Sequence, residues 1–277
     1  LDKIREDGMG AEPRFVDAKI RFVKPGERAI FYPTERSKSY MPFDDYDVRI
    51  GDVRAIAGDL ALEKNGFVLL TRPTAVKDFY DPAEIKRVYY PEIAALVKEL
   101  TGAEKVLTFG EMVRSDNPAV ADGNLPSFGA HVDYGARSVR DFTVQQLGET
   151  EAETWLSRRH MLINLWRPIR TVQRTPLAVV DASTVQAGDL NESEIRGGLG
   201  DPNRPPLYGF NLAFNPAHRW WYAPQMRPDE ILAFKLFDTK ADEIQWTGHS
   251  AFTDPTSPPD APARESIEIR TISFMPE

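Results

Sequence analysis

Gly129-Ala130-His131-Val132-Asp133-Tyr134 places two metal-binding side chains one residue apart. In an extended strand, residues i and i+2 project from the same face, so His131 and Asp133 point together while Val132 points away. An imidazole nitrogen beside a carboxylate oxygen supplies two adjacent positions on one metal ion. A third ligand is expected from His249, in Thr247-Gly248-His249-Ser250, completing a two-histidine, one-carboxylate facial triad. Such a triad leaves coordination positions open, and it favours iron(II) and redox chemistry over a closed structural zinc site. A His-x-Asp tripeptide alone is a common chance occurrence. Economy strengthens the reading, because the chain holds only four histidines: His131, His160, His218 and His249. Of these, His160 is expected to be structural or solvated.

Composition narrows the field. With 277 residues the chain is long enough to bury a full core, and all-β barrels of this size often form one domain. A net charge of −8 argues against nucleic acid as a partner, since a phosphate-binding surface needs clustered positive charge. No apolar run is long enough to span a bilayer, and the first residues do not read as a signal peptide. The absence of cysteine removes disulfides and thiolate ligands together, so a metal must sit among N and O donors and a cytoplasmic location is expected. Proline (22) and glycine (18) are scattered through the chain, which suits many short strands joined by turns.

Residues 1–28 read as a surface arm or an extension packed against the barrel, and 29–277 as the body of one domain. Supporting helices are expected near 57–64, 81–101 and 136–147. The second starts with Asp81-Pro82-Ala83-Glu84, an N-cap followed by a first-turn proline, and Pro91 inside it implies a kink or two abutting helices. The Ser- and Tyr-rich loop at 33–46 is a candidate to reach over a site. Residues 191–200 read as loop, and 207–214 and 219–223 as a strand pair. Residues 160–169 read as a strand with Leu162, Asn164 and Trp166 on one face. Asn and Trp together suit a pocket wall; the alternative is that Asn164 satisfies a nearby polar group. Trp220 and Tyr222 are candidates to line a hydrophobic cavity, with core packing as the alternative. Arg114, at the end of a strand, is either a substrate clamp or a surface ion pair.

Downstream of His249, Arg264 and Ser266 stand two apart at the start of a final strand. A guanidinium fork and a hydroxyl on one face form a receptor for a carboxylate, such as 2-oxoglutarate presents at its far end. Glu268 and Arg270 continue the same face. They pair with each other, or Arg270 takes the carboxylate in place of Arg264.

The ordered blocks His131-x-Asp133, Asn164-x-Trp166-Arg167-Pro168, Phe234-Lys235-x-x-Asp238, Gly248-His249-x-Ala251-Phe252 and Arg264-Glu265-Ser266-Ile267-Glu268-x-Arg270 resemble a known family. It is that of the iron(II)/2-oxoglutarate-dependent oxygenases related to the cephamycin 7α-methoxylation protein, the fungal asperfuranone-cluster hydroxylase and the fungal gibberellin desaturase. The resemblance runs from about residue 28 to the C-terminus. It implies a mainly β fold, a double-stranded β-helix (jelly-roll, cupin-like) barrel with flanking helices. It implies Fe(II), 2-oxoglutarate and O2 as cofactor and cosubstrates, and hydroxylation, desaturation or rearrangement of a small natural product. Two alternatives stay open on the residues alone. One is an iron oxidase of the isopenicillin N synthase type, which dispenses with 2-oxoglutarate; the other is a non-catalytic small-molecule-binding barrel.

Overall fold

The computed structural model describes residues 14–121, 124–197 and 206–277. In chain order its strands are β1 (Phe15–Val23), β2 (Ala29–Phe31), β3 (Phe43–Asp52), β4 (Phe67–Thr71), β5 (Lys105–Ser115), β6 (His131–Val132), β7 (His160–Pro168), β8 (Leu177–Val180), β9 (Leu190–Ile195), β10 (Leu207–Leu212), β11 (Trp220–Tyr222), β12 (Glu230–Asp238), β13 (His249–Ala251) and β14 (Glu265–Phe274). They form a nine-stranded sheet, β1-β3-β11-β8-β13-β6-β10-β9-β2, and a five-stranded sheet, β4-β12-β7-β14-β5. This is the expected jelly roll.

Strict alternation along the strands divides the interior in two. On β7, Leu162 and Trp166 face the large sheet, and on β14 Ile272 and Phe274 do the same; all four share one core with Phe22, Val132, Val179 and Trp220. The intervening residues Met161, Ile163, Leu165, Ile267 and Ile269 face outward and pack against Ile85, Tyr89, Ile93, Leu96 and Val97 of the helical segment. Both faces of the small sheet are therefore covered, which is why β7 and β14 are buried at every residue.

The helical segment begins as expected. Asp81 caps it by accepting from the Ala83 N–H, and Pro82 occupies its first turn. Of the two expected outcomes the segments abut: Ile85–Tyr89 widens into a π turn, in which the Tyr90 N–H donates to the Ile85 carbonyl. The helix Tyr90–Thr101 follows. Pro91 has no N–H to give to the preceding turn, and the wide turn absorbs that missing bond. Helix Ala136–Leu147 matches expectation, and a second helix, Glu149–Leu156, follows directly.

Four expectations need correction. The arm at 1–28 contains β1, which pairs in full register with β3 and buries Ile20 and Phe22; residues 1–13 lie outside the described residues. Its sequence alternates apolar residues with Asp17, Lys19 and Arg21, so charge on the outer face conceals a buried inner one. The helix expected at 57–64 is a 3-10 segment, Val53–Asp59, followed by turns. The region 191–200 is β9 up to Ile195, with its last three residues outside the described set. In addition, β10 and β11 do not pair: β10 lies between β6 and β9, and β11 between β3 and β8.

Candidate metal centre

The two sheets converge on one N,N,O cluster. His249 of β13 is the direct cross-strand partner of His131 on β6, which sets their rings 4.3 Å apart. Asp133, two residues past His131, turns to the same face. Its two oxygens lie 3.5 Å from His131 Nε2 and 3.8 Å from His249 Nε2. One ligand atom from each of the three residues lies within 4.8 Å of the others. Adjacent corners of an octahedron with bonds of about 2.1 Å are about 3 Å apart, so the cluster needs only a small contraction to hold an ion.

The hydrogen bonds on the far side of each ring fix the tautomers. His131 Nδ1 is 2.7 Å from the Gly129 carbonyl, and His249 Nδ1 is 3.5 Å from the Thr247 carbonyl. Both Nδ1 atoms therefore carry the proton and leave Nε2 as a free donor pair. His249 Nε2 is buried without a hydrogen-bond partner, the mark expected of a ligand atom waiting for a cation. Burial, reinforced by His131, depresses the His249 pKa to about 3, so its ring is neutral. Burial also disfavours charge on Asp133 and on His131. Arg270, with the histidines, outweighs it and holds Asp133 well below the usual carboxylate range. The hydrogen bond and charge of Asp133 outweigh it for His131, whose pKa is raised. An ionised carboxylate and a neutral imidazole are the forms a metal needs, so a metal competes with protons for these atoms.

Glycine makes room for this arrangement. A Cβ on Gly209 would sit 2.4 Å from the Asp133 carbonyl oxygen, so only glycine lets β10 cross the backbone there. Behind Asp133, Asn164 of β7 donates its Nδ2 to Asp133 Oδ2 at 2.7 Å and to Glu268 Oε1 at 3.3 Å. Arg270 Nη2 lies 3.1 Å from Glu268 and 3.8 Å from Asp133, and its Nη1 donates to the Gly110 carbonyl at 2.6 Å. Gly110 has φ +63° at a bulge in β5, where a side chain would crowd the Arg270 stem. The expected Glu268–Arg270 pair thus exists, and Arg270 is committed to it.

The cavity in front of the cluster is lined by Arg114, Ser127, His131, Asp133, Trp166, Leu177, His249, Ala251, Arg264 and Glu268. Counting the open solvent at its mouth, the space there measures about 310 Å³. Arg264 is buried, lies over the Trp166 ring, donates Nη1 to the Thr175 carbonyl, and has a partnerless Nε. Burial and the neighbouring Arg114 bring its pKa down to about 9, which leaves it charged at neutral pH. The Ser266 hydroxyl is buried and also has no partner. Arg114 faces the cavity and donates to the Leu125 carbonyl, so it is not a surface ion pair.

Trp220 and Tyr222 do not line this cavity. Trp220 packs edge-on against Phe22, and Tyr222 against Phe252. β11 sits between β3 and β8, and its inward side chains enter the core away from the mouth. Glu268 was legible as sharing the Arg264 face, although its place in the cavity wall was not foreseen. Ser127, Leu177 and Ala251 carry no local signal, because three separate segments deliver them. Burial and Asp133 push the Glu268 pKa up to about 7. From the 33–46 loop, Phe43 already belongs to β3, and its ring packs where a Gly129 side chain would stand.

A jelly roll carrying an open two-histidine, one-carboxylate cluster next to a buried guanidinium defines the class of non-haem metal oxygenases. The chain matches the family described as Oxidoreductase/YMDC permease-like domain over residues 20–274. No helix among the described residues is long and apolar enough to cross a membrane. It is 34% identical over 258 residues to the hydroxylase/desaturase EfuI of Hormonema carpetanum, covering 84% of this chain and 85% of that protein. It is 30% identical over 263 residues to the Fe(II)/2-oxoglutarate-dependent dioxygenase NvfI of Aspergillus novofumigatus, covering 91% and 88%. The solved structure of the iron and alpha-ketoglutarate-dependent endoperoxidase NvfI superposes with a TM-score of 0.85 at 26% identity, over 97% of this chain and 100% of that one. The chain belongs to the iron(II)/2-oxoglutarate-dependent dioxygenases. Fe(II), 2-oxoglutarate and O2 are accordingly its cofactor and cosubstrates.

Proposed function

We propose that His131, Asp133 and His249 hold iron(II), and that Arg264 with Ser266 binds the far carboxylate of 2-oxoglutarate. The observation that carries the metal assignment is the buried, partnerless His249 Nε2 facing Asp133 and His131. Arg264 is favoured over Arg270 because Arg264 lines the cavity beside the partnerless Ser266 hydroxyl, while Arg270 lies outside its lining and is paired with Glu268, Asp133 and the Gly110 carbonyl. Arg114 and Trp166 form the wall against which substrate or cosubstrate rests, and Asn164 and Arg270 support Asp133 from behind. Iron(II) and 2-oxoglutarate together supply the oxidising power to take hydrogen from an unactivated C–H bond while O2 is reduced and 2-oxoglutarate is decarboxylated to succinate.

The chain's own contribution is to aim one bond of the substrate at the cluster and to keep water out of a site walled by Trp166, Leu177 and Ala251. The substrate is a mid-sized natural product, whose reacting end meets the cluster while its remainder extends past the mouth. The relatives include proteins named as hydroxylase/desaturase and as endoperoxidase, so the outcome depends on how substrate is placed. One domain, spanning 29–277 with β1 added, acts on a small molecule in the cytoplasm. The test is anaerobic: iron(II) and then 2-oxoglutarate are added to metal-free protein and the visible spectrum is recorded. A weak charge-transfer band that requires both additions, and that is lost in His131→Ala and Asp133→Ala, is expected. Iron retention in either variant would remove that residue from the metal site. Iron binding without a band would set aside the carboxylate assignment.

A further inference from the structure

We propose that Asp116 is a positioning residue for the 2-oxoglutarate-binding guanidinium, holding Arg264 at its backbone directly and at its fork through Thr175. This rests on the reading of Arg264 given above. Asp116 stands immediately after β5, and its carboxylate joins three segments distant in sequence. Oδ1 accepts from the Arg264 backbone N–H at 2.7 Å. Oδ2 accepts from the Thr175 hydroxyl at 2.9 Å and from Arg174 Nε at 2.8 Å. The Thr175 carbonyl, in turn, accepts from Arg264 Nη1 at 2.9 Å. Two routes thus run from one carboxylate to one arginine.

Thr175 has φ +52°, a left-handed conformation that β-branched residues rarely adopt. Such a conformation persists only where its surroundings over-determine it, and it clusters at working sites. Here the hydroxyl bond to Asp116 is the tie that holds the residue whose carbonyl meets the Arg264 fork. Arg174 adds a second tie by donating Nη1 to the Ala261 carbonyl, in the loop that leads to Arg264. With Nη1 bonded and the plane laid over Trp166, the guanidinium has one orientation, and its partnerless Nε is left for a ligand. The Asp116 charge also favours the protonated form of Arg264, against burial and Arg114.

The experiment measures anaerobic binding of two acids to the iron(II)-loaded protein: 2-oxoglutarate, and 2-oxobutyrate, which lacks the far carboxylate. Asp116→Ala is expected to weaken 2-oxoglutarate about tenfold, the effect of one well-placed hydrogen bond. Affinity for 2-oxobutyrate and for iron(II) is expected to stay unchanged. Asp116→Asn, which keeps the shape and an acceptor for the Arg264 N–H, gives a smaller loss in the same direction and reads the same comparison if the alanine variant does not fold. In an Arg264→Ala background, changing Asp116 is expected to add nothing. Equal weakening of both acids, or of neither, overturns the proposal. If Arg264→Ala itself binds 2-oxoglutarate normally, it is the assignment of Arg264 that fails.

Discussion

Asn164→Ala separates a residue that orients a metal ligand from one that merely satisfies a buried group. Asn164 is buried in β7 and gives Asp133 Oδ2 a 2.7 Å hydrogen bond. A hydrogen bond to a charged group contributes about 1.5–3 kcal/mol. At about 1.4 kcal/mol per tenfold, its loss should weaken iron(II) binding about 10- to 100-fold, the usual cost of removing a residue that supports a metal ligand. The effect is one of orientation. Arg270 remains 3.8 Å from Asp133 and keeps the carboxylate ionised, but without the amide the carboxylate is free to rotate. The metal-free variant should lose a few degrees in melting temperature, since Glu268 loses a donor as well. Anaerobic iron(II) titration followed by calorimetry measures the affinity, and scanning calorimetry of the metal-free protein measures the stability. A lower melting temperature with unchanged iron affinity would refute the reasoning and leave Asn164 as a core residue only.

Three further outcomes are expected. Gly209→Ala should abolish or strongly weaken iron retention in a folded protein, because its Cβ would displace the Asp133 backbone; normal iron content would show that β10 can yield. Asp238→Asn should destabilise by about 3–5 kcal/mol, since it takes the partner from the fully buried Lys235 and the two-point contact from Arg159. Lys235→Met in the same chain should recover part of that loss in a denaturant titration. Burial, the main cause, lowers the His160 pKa, so below pH of about 6.5 the unfolded chain takes up this proton before the folded one does. Its contribution to stability is full above that pH and lost as pH falls towards the folded value; His160→Gln should flatten the melting-temperature profile in that window.

Much of the barrel was legible because strand alternation is a local property. The run Arg264, Ser266, Glu268, Arg270 belongs to one face whatever surrounds it, and His131 and Asp133 share a face for the same reason. The helix start at Asp81-Pro82 is equally local. β1 was left outside the body of the barrel because an amphipathic strand at a sheet edge shows as much charge as a surface arm. Trp220 and Tyr222 were left between cavity wall and core because alternation gives the face and not the distance along the barrel from its mouth.

The sequence by itself therefore determined the residue types, their spacing and the face each presents: two metal-binding side chains at i and i+2, a third histidine among small residues, and a guanidinium beside a hydroxyl. Only the tertiary structure decided that β13 pairs with β6 at His249 and His131, that Asn164 and Arg270 close on Asp133, and that Asp116 gathers Arg174, Thr175 and Arg264. Side-chain direction follows from backbone dihedrals within a few residues. Which segments meet is set by sheet order and register, and these arise only when both faces of the small sheet find their cover.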